Sequence, residues 1–127
     1  MSKDVIRTEA APAPFQGVPY NQAIRTGDLV FVAGQLGLKP GDTAVEGGIV
    51  EQTEQVLRNI AAILEAAGSS MDKLVKTTVF LMDLGDFQAM NEVYARHVGD
   101  RPPARSAFQV AKLPLGGLVE IEAVAHC

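Results

Sequence analysis

Cysteine is almost missing from this chain: Cys127, the last of 127 residues, is the single one. One thiol excludes an intrachain disulfide and a cysteine-based metal cluster, and it fits a reducing compartment. Histidine is nearly as scarce. His97 and His126 stand far apart, so the donor set of a transition-metal site is lacking and no metal is expected. No apolar run approaches the roughly 18 residues needed to span a bilayer. The opening segment MSKDVIRTEAAP carries charges and no apolar stretch of the signal-peptide kind. No membrane partner is expected, and the expected location is the cytoplasm. Clusters of basic residues are absent as well. Eleven Lys and Arg against fifteen Asp and Glu leave a net charge of −4. Such a chain has no general attraction for a phosphate backbone, so nucleic acid is not an expected partner. Nucleophile-elbow, P-loop and dinucleotide-binding glycine patterns do not occur. Internal repeats and low-complexity tracts are missing too.

What remains is ordinary globular material, 47% hydrophobic and 20% charged. Its length suits one domain, residues 1–127, with one core. Val5 to Thr8 reads as a short strand. Pro12, Pro14 and Pro19 then hold a connector extended, and this connector presents Tyr20. An aromatic packed on a sheet with a wet hydroxyl would look the same. Asn21–Thr26 and Leu29–Leu36 are strands joined by a tight turn at Gly27-Asp28. The second, LVFVAGQL, is apolar and β-branched enough for a central position. Gly34 inside it marks a bulge or a close backbone approach, unless packing alone explains it.

Residues 49–67 have helical spacing, with Thr53, Val56, Leu57, Ile60, Ile63, Leu64 and Ala67 on the core face. Glu51, Glu54, Gln55, Arg58, Asn59 and Glu65 fall on the opposite face, and Gly68 stops the helix. Leu74–Met82 is a third long strand. Asp83 or Asp86 can cap a second helix over Phe87–Val98, whose stripe is Phe87, Met90, Val93 and Tyr94. Asn91 lies on the side of Phe87 and Tyr94, either as a solvated edge residue or as a positioned hydrogen-bonding group. His97 has no partner in the sequence and reads as a helix-end histidine favoured by the macrodipole.

The closing stretch, Pro102 to Ala125, reads as two strands around a turn at Leu113–Gly117. It carries Arg105 near its start and Glu120 near its end. Paired as a hairpin, Arg105 falls beside Ala125 and Glu120 beside Val110, roughly 16 Å apart. On that register the two charges share a site only if neighbouring subunits bring them together. Arg105 is either a surface cation with a buried stem or a planar fork for a carboxylate. The order β-β-β-α-β-α-β-β gives an α+β fold: a mixed six-stranded sheet with two helices on one face. Strands apolar on both sides leave the other face to be covered by further subunits.

The run Pro103-Ala104-Arg105-Ser106-Ala107-Phe108, with Leu113-Pro114 and Val119-Glu120-Ile121, resembles the signature of the reactive-intermediate deaminase family (RidA, YjgF/L-PSP). The likeness extends through Pro19-Tyr20-Asn21-Gln22-Ala23, Ala33-Gly34-Gln35, Glu65-Ala66-Ala67-Gly68, Val75-Lys76-Thr77-Thr78-Val79-Phe80 and Asn91-Glu92-Val93-Tyr94. It implies a chorismate-mutase-like fold and a homotrimer with clefts between subunits. It also implies hydrolysis of 2-aminoacrylate-like enamine and imine acids to 2-oxo acids and ammonia, as a 2-iminobutanoate/2-iminopropanoate deaminase, without cofactor or metal. By the same resemblance Arg105 grips the substrate carboxylate, Glu120 positions or activates water, and Tyr20 joins them. Gly34, Asn91 and Ala107 then contact the substrate. This chain departs from the family where Asn21 and Ala33 replace a common serine and Ala107 a common cysteine. No nucleophile is therefore assigned. His97 and Val98 occupy a stretch that is commonly aromatic. Two other readings are a non-catalytic small-ligand-binding or chaperone-like trimer, and an endoribonuclease, which the acidic charge disfavours.

Overall fold

The computed structural model describes residues 2–127. Among them run β1 (Asp4–Ile6), β2 (Ala23–Thr26), β3 (Leu29–Leu36), α1 (Ile49–Ala66), β4 (Leu74–Leu81), α2 (Phe87–Val98), β5 (Ala104–Gln109) and β6 (Val119–His126). The strands form one six-stranded sheet in the order β1-β2-β3-β6-β4-β5. Neighbours are antiparallel except β4 and β5, which are parallel. The α+β class, the element order and the mixed sheet match the sequence expectation. The first two strands are shorter than expected, so Thr8 and Asn21 lie outside them.

The hairpin expected of the last two strands does not form. The helix between β4 and β5 makes that connection a crossover, and a crossover returns the chain parallel to the strand it left. β5 therefore docks on β4. β6 fills the gap between β3 and β4, and its Val119, Ile121, Ala123 and Ala125 are all buried on the helix side. Arg105 is level with Thr77, which pairs in turn with Ala123 rather than Ala125. Glu120 pairs with Phe80 and Leu36 rather than Val110.

α1 lies over the centre of the sheet and buries Val56, Leu57, Ile60, Ile63 and Leu64 against Val30, Val32, Val79 and Ile121. Truncating one of these, as in Leu57→Ala, would cost about 2–5 kcal/mol. The helix stops at Gly68, whose φ of 82° suits glycine. The Gly68 N–H donates to Glu65 O and the Ser69 N–H to Leu64 O, which satisfies the last carbonyls. Arg25 Nη1 also donates to Ala67 O at 3.0 Å, placing a cation at the negative end of the helix.

Two placements on the helices differ from the sequence reading. Asn59, expected on the polar face, is fully buried. Its Nδ2 donates to Leu36 O at 3.2 Å and Leu38 O at 2.9 Å, so it ties the end of β3 to α1. His97 does have a partner: its Nε2 lies 2.9 Å from Glu54 Oε1 on α1. Glu54 also accepts from Arg58 Nε at 2.8 Å. The His97 hydrogen bond is the largest effect on the Glu54 carboxyl; burial, next in size, opposes it, and with the help of Arg58 the net result is a carboxyl below its ordinary value.

Both helices cover the same face of the sheet. The other face shows Phe31 and Phe108, 46% and 45% exposed, and Phe80 meets Phe108 edge to face at 5.3 Å. Among the described residues no helix is long and apolar enough to cross a membrane.

Candidate active site

The residues singled out in the sequence fall into two groups, one on each face of the sheet. Side chains alternate along a strand. Arg105 stands level with buried Thr77 and projects to the helix side. Glu120 lies between buried Val119 and Ile121 and projects to the bare side. Within one chain they do not meet.

The first group is Tyr20, Gly34 and Glu120. A cavity of about 320 Å³ brings them together, walled by Phe15, Leu36 and Pro114 among others. The sequence creates this corner with a bulge. From Val32 to Gln35 the chain takes three steps where β6 takes two, from Ala123 to Ile121. The extra residue re-aims the strand, and Gly34 leaves room for the carboxylate of Glu120. Tyr20 comes from the proline-rich connector. Its hydroxyl accepts the Phe15 N–H at 3.2 Å, and its ring meets Phe15 edge to face at 6.5 Å. The connector is fixed from below by Gln22. That buried amide accepts the Thr8 N–H at 2.8 Å and donates to the carbonyls of Thr8, Ala11 and Pro12. Glu120 is half-buried. Burial, and secondarily the negative charge of Glu122, push its carboxyl above the ordinary value of 4.5. A carboxylate raised in this way is a better proton acceptor.

The second group is Arg105, Asn91 and Ala107. Arg105 Nη1 donates to Asn91 Oδ1 at 2.7 Å. The guanidinium carbon lies 4.8 Å from the centre of the Tyr94 ring and 5.5 Å from that of Phe87. Ala107, two residues along β5, faces the same side and is packed against the core. Among the described residues no carboxylate pairs with Arg105. It is a half-buried fork with donors to spare. Such an arrangement can hold a planar anion, whereas the first group can hold water and move a proton.

Sequence reasoning found Asn91 and Arg105 but not the groups that hold them. Thr77 reads as one polar residue in an apolar strand. Tyr94 and Phe87 read as core stripe with Asn91 on their side of the helix, but nothing in that spacing says that their rings bear on Arg105. The buried amides Gln22, Gln52 and Asn59 also escaped, because an amide on a helix or strand usually marks the wet face. Among the described residues no cluster of three or more His, Cys, Asp or Glu is arranged to hold a metal ion.

A six-stranded mixed sheet backed by two helices, with a bulged central strand and an arginine on the edge strand, defines a layered α+β protein. Comparison with known proteins is more specific. The family model described as Endoribonuclease L-PSP matches residues 8–127. A RutC family protein of Pyrococcus horikoshii is 51% identical over 125 residues, covering 98% of each chain. A 2-iminobutanoate/2-iminopropanoate deaminase of Mus musculus is 45% identical over 124 residues, covering 97% of this chain and 90% of that one. The crystal structure of RidA from an Antarctic Psychrobacter superposes with a TM-score of 0.93 at 44% identity, over 98% of this chain and 99% of that one. The chain belongs to the RidA/YjgF (L-PSP) family.

Proposed function

We propose that this chain, residues 1–127 as one domain, is a hydrolytic deaminase of reactive 2-imino and 2-enamino acids. It works as a chorismate-mutase-like homotrimer whose sites each take Arg105 from one subunit and Glu120 from its neighbour. The observation that carries the reading is the split itself: the anion-holding fork and the proton-moving carboxylate lie on opposite faces of one sheet. The uncovered face supports the assembly, since each large apolar side chain buried there contributes about 1.5–3 kcal/mol. The names of the relatives support the chemistry, and the lone thiol agrees with a reducing cytoplasm.

The reaction asks little of the protein. An enamine acid tautomerises to the imine, whose carbon is already electrophilic. Arg105 holds the carboxylate through two parallel N–H donors and fixes the plane of the substrate. Glu120 accepts a proton from water as its oxygen bonds to the imine carbon, giving a carbinolamine. Glu120 passes that proton to nitrogen to complete the carbinolamine, then takes the proton of the new hydroxyl and delivers it to nitrogen as the carbon–nitrogen bond breaks and the carbonyl forms, leaving a 2-oxo acid and ammonia. Positioned base assistance of this kind is worth about 10²–10⁴-fold. Tyr20 closes the cleft beside Glu120, while Gly34, Asn91 and Ala107 shape the space around the substrate. No step draws on a metal or cofactor.

The test couples enzymatic generation of 2-aminoacrylate to release of the oxo acid. Wild type accelerates release, and Arg105→Ala abolishes the acceleration while the assembly stays intact. Unchanged turnover in that variant would overturn the role given to Arg105. Tight binding without turnover would favour a non-catalytic carrier or chaperone-like trimer. The family model's description raises a second reading, cleavage of RNA, and the net charge of −4 weighs against it.

A further inference from the structure

Arg105 has a long flexible stem, and its value as a clamp depends on the fork being aimed before the substrate arrives. The groups that aim it lie on α2. Asn91 takes one Nη1 proton at 2.7 Å, and the rings of Tyr94 and Phe87 bear on the guanidinium carbon at 4.8 and 5.5 Å. Phe87 is exposed, at the rim. Tyr94 is not. It is buried, and its hydroxyl is 2.6 Å from the hydroxyl of Thr77, also buried. Thr77 is the residue level with Arg105 across the β4–β5 ladder. The three residues therefore close a loop: strand to neighbouring strand, strand to helix, and helix ring to guanidinium. We infer that Tyr94, locked through its hydroxyl to Thr77, is the positioning residue that fixes the Arg105 fork for an incoming carboxylate.

A tyrosine hydroxyl near a cleft invites a proton-transfer role, and the geometry speaks against one. The hydroxyl is spent on Thr77, on the sheet side of its ring. Burial also pushes the phenol up from its ordinary value, against weaker opposing effects of Thr77 and Arg105. It stays neutral and does not compete with the substrate for the guanidinium. A ring face held over a partly desolvated guanidinium contributes enough for about a tenfold change in affinity.

This inference rests on the proposed role of Arg105, and its test is built so that the two fail separately. Binding of 2-oxobutanoate, and of the corresponding amide that lacks the carboxylate, is measured by calorimetry. Imine hydrolysis is followed in parallel. Tyr94→Leu should raise KM and the oxo-acid Kd about tenfold, with kcat changing much less and the amide unaffected. Thr77→Val, close to isosteric, should reproduce part of that rise. Tyr94→Phe should do the same, and the two together should be no worse than either. Thr77→Ser should restore the wild-type values. The inference is overturned if Thr77→Val leaves KM unchanged, or if oxo acid and amide weaken in parallel as they would after general damage to packing. If the oxo acid binds in an Arg105-dependent way and Tyr94→Leu binds it as well as wild type, this inference alone falls. If wild type neither binds the oxo acid nor hydrolyses the imine, the deaminase reading falls and takes it along.

Discussion

Gly34 and Glu120 meet so closely across the β3–β6 ladder that a β-carbon on residue 34 would collide with Glu120 Oε2. No real β-carbon comes that near to an oxygen. The bulge and the glycine together make the seat in which the carboxylate rests. Gly34 is not among the glycines with positive φ, so its backbone would accept alanine and only the carboxylate would have to move.

Gly34→Ala should therefore separate activity from stability. Glu120 is half-buried and can swing toward solvent, so the loss of stability should be small, about 1 kcal/mol or less. Loss of the aligned base should cut kcat by about 10²-fold. The imine-hydrolysis assay and thermal unfolding of the same sample check the pair. A large drop in melting temperature would mean that the glycine serves the bulge rather than the carboxylate.

The raised Glu120 carboxyl predicts a pH profile. The base is active when ionised, so kcat/KM should rise with pH through a midpoint above the ordinary 4.5. Burial is the larger cause and Glu122 the smaller, so Glu122→Gln should lower the midpoint without abolishing its elevation. The stability effect has the opposite slope. A carboxyl with its folded pKa above its unfolded one binds more protons in the folded state, so its contribution falls as pH rises through that window. Glu120→Gln should thus gain stability relative to wild type at neutral pH and little in acid. A midpoint at or below 4.5 would contradict the assigned base.

Asn59 gives a prediction on the fold. Its two hydrogen bonds hold the carbonyls of Leu36 and Leu38, and both leucines line the cavity beside Glu120. Asn59→Leu keeps the branched outline of the side chain but leaves two buried carbonyls without this donor, at about 1–3 kcal/mol each before relaxation. Urea unfolding should show a loss in that range, accompanied by reduced turnover as the end of β3 loosens. A variant as stable as wild type would mean that water replaces the amide.

Most of the fold was legible because its signals are local. LVFVAGQL and LVKTTVFL are long apolar runs bounded by turns, and the helical spacing of Val56, Leu57, Ile60, Ile63 and Leu64 survives inspection of any window. Strand order was not legible from the last two strands, because adjacency in the chain suggests a hairpin and nothing in residues 110–118 says otherwise. The information lay further back, in the helix that forces β5 to run parallel to β4. For the candidate site, Arg105, Glu120, Gly34 and Asn91 stand out as residues out of keeping with their surroundings, and only the family resemblance adds Tyr20 and Ala107. The roles of Thr77, Tyr94, Gln22 and Asn59 were invisible, because they come from partners 10 to 23 residues away. A sequence pattern does not show which polar group a fold will bury.

The split of the site between faces predicts complementation. Arg105→Ala and Glu120→Gln chains should each assemble and each be inactive. Unfolded together in equal amounts and refolded, they should form mixed trimers. A cleft that takes Arg105 from one subunit and Glu120 from the next is intact only when a Glu120→Gln chain precedes an Arg105→Ala chain. Random mixing meets that condition in about a quarter of the clefts of a cyclic trimer. Activity should therefore return to about a quarter of the wild-type value, with the mass of the assembly unchanged. A site built within one chain would return nothing, because no chain in the mixture carries both groups. Adding Phe108→Asp to both chains places a charge on the bare apolar face. It should abolish the recovery and yield the monomeric mass on sedimentation, whereas a trimer surviving that change would assign the interface to another surface.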